Sequence, residues 1–279
     1  MNYGLVALDL DGTLIGPDLL IAPVVREAIG AVQARGVHVT LATGRQFAAT
    51  LPFAMQLDLR TPLICHQGAL IRDPRSGETL AHTTMPAADA AEATALLLGA
   101  GIFVIAYIDE RLHVAASSGA RRAELDYYLR FHPEEAAVVV EADLPTAQRA
   151  TPPTKLLFIA DEPSVGRELA HLKAHFAARL AITRSHEHFG ELMAPGVGKG
   201  VALARLAGHL GIARERVIAI GDQENDLSMI AWAGLGLAMG NAIPAVRNLA
   251  NATLPTLAED GVATALQRYV LDAATIDLP

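Results

Sequence analysis

The stretch that most constrains this chain is Val6-Ala7-Leu8-Asp9-Leu10-Asp11-Gly12-Thr13-Leu14, where an apolar run ends on two carboxylates and a glycine. Such a run predicts a buried strand ending near Leu10, with Gly12 breaking the extended backbone. Side chains alternate faces along a strand, so the spacing predicts Asp9 and Asp11 on the same side. Two carboxylates about 4–6 Å apart repel by roughly 3–4 kcal/mol at an effective dielectric near 20. The fold must leave them in water or supply a cation. An Asp-x-Asp pair is expected by chance among 15 aspartates in 279 residues, so the pair alone carries nothing. Its weight comes from its place at the end of a buried-type strand.

The pattern continues downstream. Residues 22–35 put Val24, Val25, Ala28, Ile29 and Val32 at helical spacing, and Gly36 stops the helix. Residues 36–45 read as a second strand ending at Thr43-Gly44-Arg45, residues 46–56 as a helix, and residues 62–66 as a third strand closed by Gln67-Gly68. Strand, helix, strand, helix, strand with short connections predicts a parallel sheet with right-handed crossovers. Ligands bind such sheets at the carboxyl ends of the strands, where Asp9, Asp11 and Thr43 all fall. Residues 69–82 predict a hairpin turning at Asp73-Pro74-Arg75-Ser76-Gly77.

Between residues 84 and 192, predicted helices (87–99, 120–131, 164–179) alternate with predicted strands (102–108, 111–116, 155–160, 180–183, 189–193), without a carboxylate-tipped strand and glycine turn. This third reads as a second α/β module inserted into the first, with Thr151-Pro152-Pro153-Thr154 as a rigid bend inside it. The opening style then returns. Pro195-Gly196-Val197-Gly198-Lys199-Gly200 runs into a helix, setting Lys199 at a helix N-terminus that favours anions. The spacing of a P-loop is absent. A strand over 216–220 leads into Gly221-Asp222-Gln223-Glu224-Asn225-Asp226. Asp222 and Asp226, four apart across a turn into a helix, can converge with Asp9 on one oxygen-seeking cation. Residues 235–239 and 252–254 read as the last strands.

Composition narrows the partners. Twenty-two basic against 30 acidic residues give a net charge of −8 with no long basic run, which predicts no nucleic-acid partner. The single cysteine, Cys65, excludes an internal disulfide and any cysteine-based metal cluster. Residues 227–246 carry no charge but contain three glycines and Pro244, so they read as helix, strand and turn and not as a membrane span. The opening residues show no basic region ahead of an apolar stretch, and the expectation is a cytoplasmic protein without a membrane partner.

Asp9, Asp11, Thr43, Lys199, Asp222 and Asp226 form one set. Several carboxylates in one cleft call for a divalent metal, all-oxygen ligation favours Mg²⁺, and a hydroxyl and a lysine beside them suit a phosphate. In order, Asp-Leu-Asp-Gly-Thr-Leu, Thr43 in Ala-Thr-Gly-Arg, Lys199 in Gly-Val-Gly-Lys-Gly and Gly-Asp-x-x-Asn-Asp resemble the four motifs of the haloacid dehalogenase-like hydrolase superfamily. The insert, Met-Gly-Asn-Ala at 239–242 and Glu-Asp-Gly-Val-Ala at 259–263 are similar to the Cof-type, class IIB capped phosphatases. The resemblance implies a Rossmann-like parallel-sheet core (1–83 and 193–279) with an inserted α/β cap (84–192).

It also implies roles. Asp9 becomes the nucleophile that forms an aspartyl-phosphate. Asp11 becomes the general acid for the leaving alcohol and then the base for water. Mg²⁺ is expected on Asp9, the Asp11 backbone carbonyl and Asp222, with Asp226 close by. Thr43, Lys199 and the backbone N–H of Gly44 are expected to hold phosphoryl oxygens, and Asn225 to orient Lys199 or touch the phosphate. The implied function is a Mg²⁺-dependent phosphatase for small phosphate monoesters, sugar phosphates or phosphorylated cofactors, in a monomer or small homo-oligomer. A phosphomutase of the phosphomannomutase type and a non-catalytic Mg²⁺/phosphate-binding module are the alternatives. One position departs from the family: Gln67-Gly68-Ala69 stands where many relatives read Asn-Gly-Ala.

Overall fold

A computed structural model describes residues 3–132 and 137–272. In chain order the elements are β1 (Leu5–Leu8), α1 (Pro23–Ala34), β2 (His38–Leu41), α2 (Phe47–Gln56), β3 (Leu63–Cys65), β4 (Leu70–Arg72), β5 (Thr79–His82), α3 (Ala87–Gly99), β6 (Phe103–Ile108), β7 (Arg111–Ala115), α4 (Arg122–Phe131), β8 (Val138–Glu141), α5 (Leu144–Ala150), β9 (Lys155–Ile159), α6 (Glu162–Phe176), β10 (Ala181–His186) and β11 (Phe189–Met193). There follow α7 (Lys199–His209), β12 (Val217–Gly221), α8 (Leu227–Trp232), β13 (Leu235–Ala238), α9 (Pro244–Leu249), β14 (Ala252–Thr253) and α10 (Gly261–Leu266). Among the described residues no helix is long and apolar enough to cross a membrane.

The chain divides into two compact units, Met1–Ala81 with Gly198–Pro279, and His82–Val197. The first is built on a five-stranded sheet in the order β14-β13-β12-β1-β2, with all neighbours parallel. Continuous apolar strands are what a parallel sheet covered on both faces requires. β1 (Leu5-Val6-Ala7-Leu8) is fully buried at its centre, and the α1 face of Val25, Ile29 and Val32 packs into the same core. The predicted α/β fold with a parallel core is present. The hairpin also forms: Asp73 accepts from the Gly77 amide at 3.0 Å, and its own amide donates to the Glu78 carbonyl at 2.9 Å.

The second unit holds a six-stranded sheet in the order β10-β11-β9-β6-β7-β8. Its pairs are antiparallel except β7 with β8. One face buries Val104, Ala106, Leu156, Phe158 and Leu192 with residues of α3, α5 and α6, among them Leu97, Leu144 and Leu172. The other face carries Ile105, Tyr107, Leu157 and Phe189 with Tyr128 of α4. β8 and α5 have no counterpart among the sequence expectations. β8 is only half-buried, and α5 is a seven-residue helix opened by Asp143 and a proline, so neither shows a full period of hydrophobic patterning.

Candidate active site

The site grows from the carboxyl ends of β1 and β12, adjacent parallel strands in register Leu8 with Ile220. β1 stops at Leu8, two residues earlier than its apolar run predicts. The Asp9 amide still donates to the Ile220 carbonyl at 3.0 Å, and then the chain folds over itself, with the Leu14 and Ile15 amides donating to the Leu10 carbonyl at 2.8 and 2.9 Å. Alternation therefore does not govern Asp11. Asp9 is buried while Asp11 is exposed, and the two carboxylates do not share a setting.

Asp9, Asp222 and Asp226 do converge, with carboxylate oxygens within 4.8 Å of one another, all three buried. Behind them sits Lys199, the first residue of α7. Its Nζ donates to Asp9 Oδ1 at 2.5 Å and to Asp226 Oδ1 at 2.6 Å, with a side chain fully out of solvent. The other Asp226 oxygen accepts from the Asp222 and Gln223 amides at 2.8 and 3.0 Å, which close the turn after β12. Asp226 is thus held by three donors and fixes the geometry of its neighbours.

Two glycines allow this closeness. Gly12 has φ of +85°, and a Cβ there lands 2.5 Å from Asp222 Oδ2. A Cβ at Gly221 lands 2.5 Å from Asp226 Cγ. Only glycine fits either place.

The electrostatics are unbalanced. Three carboxylates face one ammonium in a site that water barely reaches. Burial, and then the Asp226 charge, push the Asp222 carboxyl up to about 7. Burial and the Asp226 charge likewise raise Asp9 well above the usual carboxylate range, against the opposing pull of Lys199. Burial works against the Lys199 ammonium, but Asp226 and Asp9 outweigh it and hold that group above its ordinary value. Buried carboxylates crowded together with a single ammonium suit a divalent cation. The donor set is all oxygen, so the residues fit a hard divalent metal.

The remaining expected residues lie around this centre in different roles. Thr43 is buried just past β2, the strand beside β1, and its Oγ1 accepts from the Arg45 amide at 3.1 Å. Gly44 lies in the same turn, half-buried. The Asp11 carboxylate is outside the buried acid group and is gripped by Arg45, with Nε to Oδ2 at 2.9 Å and Nη2 to Oδ1 at 2.7 Å. The Asn225 Nδ2 donates to Gln67 Oε1 at 3.0 Å. Gln67 has φ of +58° and His66 φ of +49°, a left-handed pair just past β3 that asparagine adopts more readily than glutamine. Such strain marks functional sites. The departure at position 67 is therefore absorbed by a direct contact with the Asn225 turn.

Sequence reasoning missed two residues. Thr13 Oγ1 donates to Asp222 Oδ1 at 2.9 Å, a bond 209 positions apart that no spacing signals. Asn241 ties the loop after β1 to the tail, its Nδ2 donating to the Gly12 carbonyl at 2.8 Å and its Oδ1 accepting from the Leu257 amide at 3.0 Å. Its trace in the sequence was its place in Met-Gly-Asn-Ala at 239–242, which carried a family likeness and no role.

With a parallel sheet whose acid-tipped strands share one lysine, the class is a phosphoryl-handling α/β hydrolase. The chain matches the haloacid dehalogenase-like hydrolase family over residues 6–266 and belongs to it. It is a phosphatase of the Cof type, a phosphoric monoester hydrolase. It is 30% identical to a 5-amino-6-(5-phospho-D-ribitylamino)uracil phosphatase of Bacillus subtilis, over 95% of this chain and 97% of the other. It is 29% identical to a pyridoxal phosphate phosphatase of Escherichia coli, over 97% of this chain and 100% of the other. The crystal structure of a haloacid dehalogenase-like hydrolase from Bacteroides thetaiotaomicron superposes with a TM-score of 0.81 at 28% identity, over 96% of this chain and 99% of that one.

Proposed function

We propose that this chain is a Mg²⁺-dependent phosphatase that hydrolyses small phosphate monoesters, sugar phosphates or phosphorylated cofactors, through an aspartyl-phosphate. The observation that carries the reading is the buried Asp9 carboxylate, one oxygen 2.5 Å from Lys199 and within reach of Asp222 and Asp226. The named substrates of the two bacterial relatives, both small phosphorylated metabolites, support the substrate class. The unit His82–Val197 is taken as the cap domain that selects among such substrates. The reaction is taken to be cytoplasmic.

In this mechanism Asp9 attacks phosphorus. Its Oδ–P bond forms as the bond from phosphorus to the ester oxygen breaks, and the departing oxygen takes a proton from Asp11. Asp11 then receives a proton from water as that water attacks the aspartyl-phosphate, releasing phosphate and restoring Asp9. Lys199 favours the ionised form of Asp9 and orients it, while Thr43 and the Gly44 amide receive phosphoryl oxygens. Asp9, Asp222 and the Asp11 carbonyl, with Asp226 close by, would hold Mg²⁺, which would supply neutralisation of the negative charge that phosphate brings to three acids.

The test is phosphate release from a panel of phosphorylated metabolites, with and without chelator, comparing wild type with Asp9→Asn. Release that needs divalent metal and vanishes in the folded variant is expected. Substantial hydrolysis by Asp9→Asn, or activity unchanged in excess chelator, would overturn the nucleophile or the metal assignment respectively.

A further inference from the structure

The Asp11–Arg45 pair is more than surface charge matching. The Arg45 side chain is 1% exposed and the Asp11 side chain 51% exposed, so a buried cation reaches outward to a carboxylate at the solvent side. Taking a guanidinium out of water costs several kcal/mol, which a half-exposed partner offsets only in part. The guanidinium also lies over the Phe53 ring at 5.6 Å, a contact that offsets part of that cost. What the arrangement achieves is geometric. The two-pronged contact at 2.9 and 2.7 Å fixes both oxygens of a short side chain on a loop that would otherwise leave it free to turn. The Arg45 backbone is fixed as well: its amide donates to Thr43 Oγ1, and its carbonyl accepts from the His66 amide at 2.9 Å. One residue thus sets the orientation of Thr43, the expected phosphate contact, and of Asp11.

We propose that Arg45 is a positioning residue for Asp11, holding its carboxylate where it can exchange a proton with the leaving-group oxygen and then with the attacking water. This rests on the role given to Asp11 above. The two-pronged pairing favours the ionised Asp11 that takes a proton from water; to give that proton to the leaving group one Asp11 oxygen leaves the fork, and Arg45 neither gains nor loses a proton. A group misplaced by about an ångström loses much of its advantage, and proton transfer by a positioned group contributes about 10²–10⁴-fold.

The test compares 4-nitrophenyl phosphate with phenyl phosphate, esters of similar shape whose leaving groups differ in their need for a proton. Arg45→Met should lower kcat/KM for phenyl phosphate about 100-fold and for 4-nitrophenyl phosphate less than about 5-fold, in kcat and not in KM. Arg45→Lys keeps the charge without the fork. It should recover about tenfold on phenyl phosphate, and it keeps the test open if the methionine variant does not fold. Asp11→Asn should show the same leaving-group contrast, and adding Arg45→Met to it should cost less than twofold more. Equal losses on both esters, a rise in KM alone, or full additivity in the double variant overturns the positioning role while leaving Asp11 as the acid. An Asp11→Asn enzyme indifferent to the leaving group overturns the acid assignment itself, and the Arg45 role with it.

Discussion

Acidic side chains behave oppositely in the buried group at the ends of β1 and β12 and at the surface of the second unit. At the surface of His82–Val197 they cap helices and pair, while the buried Glu191 has its own partner in Lys155 at 2.6 Å. Asp143 accepts from the Thr146 amide, Asp161 from the Ser164 amide, and Glu92 meets His175 and Arg179. Hydrogen bonds from Thr146, Ser164 and His175 hold these three carboxyls below their ordinary range. In the first unit Asp9 and Asp222 are pushed the other way by burial and by each other's neighbours. The cause is topological. Five parallel strands bring their carboxyl ends to one edge, so acids at the ends of β1 and β12 must meet. In the largely antiparallel second sheet successive strand ends alternate between two edges. Among the described residues, the Asp9, Asp222 and Asp226 group is the only one of three or more acid, histidine or cysteine side chains close enough to share a cation. An acid in this protein is structural where it finds its own donor and functional where the fold crowds it.

The sharpest way to break that comparison is to remove the cation that shares the crowded acids. Lys199→Met should lower kcat by about 10³-fold, in line with the loss of one preorganised transition-state contact. It should also leave buried carboxylates unpaired, costing about 3–5 kcal/mol of stability near pH 8. The cost should shrink as pH falls and the acids take up protons. Activity assays with denaturant unfolding at pH 8 and pH 5.5 check both statements. An active Lys199→Met enzyme would show that the acids do not depend on that ammonium.

The next effect is a pH dependence of opposite sign for the buried acids and for the helix-capping acids. The Asp222 carboxyl titrates near 7 in the fold and near 4 in the unfolded chain. Between those values the folded state holds a proton that the unfolded chain has released. The Asp222 contribution therefore falls as pH rises from about 4 through 7. The helix-capping acids contribute the reverse, with stability present above about pH 4 and lost as pH drops below it. In chelator, melting temperature should decline from pH 5 to pH 8. Mg²⁺ should raise it more at pH 8 than at pH 5, because cation and proton compete for the same oxygens. A Mg²⁺ shift independent of pH would exclude the buried acids as its site.

The parallel core and its acid-tipped strands were legible in the sequence because apolar strands, glycine stops and acids repeat in register along it. The convergence of Asp9, Asp222, Asp226 and Lys199 followed from parallel topology. What stayed hidden depends on side-chain reach across long separations. Thr13 on Asp222, Arg45 on Asp11 and Asn225 on Gln67 each join segments that no period links. The strand rule also overreached by two residues at Leu8, and that short distance decides that Asp11 leaves the buried group. In the second unit, β8 is a half-buried strand at the sheet edge whose valines lack a clean alternation, so pattern alone did not raise it above a loop.

The smallest expected effect tests the other side of the comparison. Asp161 is the N-cap of α6, with an oxygen 2.9 Å from the Ser164 amide, next to Glu162 in the first turn. Removing it by Asp161→Ala orphans one helix donor and takes a negative charge from the positive end of the helix dipole. The expected result is a small fall in melting temperature at pH 7 that shrinks as pH drops below the ordinary carboxylate range and the wild-type carboxyl takes up its proton too. kcat and KM for the preferred substrate and the Mg²⁺ dependence should stay at wild-type values. A variant that keeps its melting temperature but loses Mg²⁺ response would place a functional acid in the second unit, and the division between crowded and capped acids would then fail at the residue where it is easiest to measure.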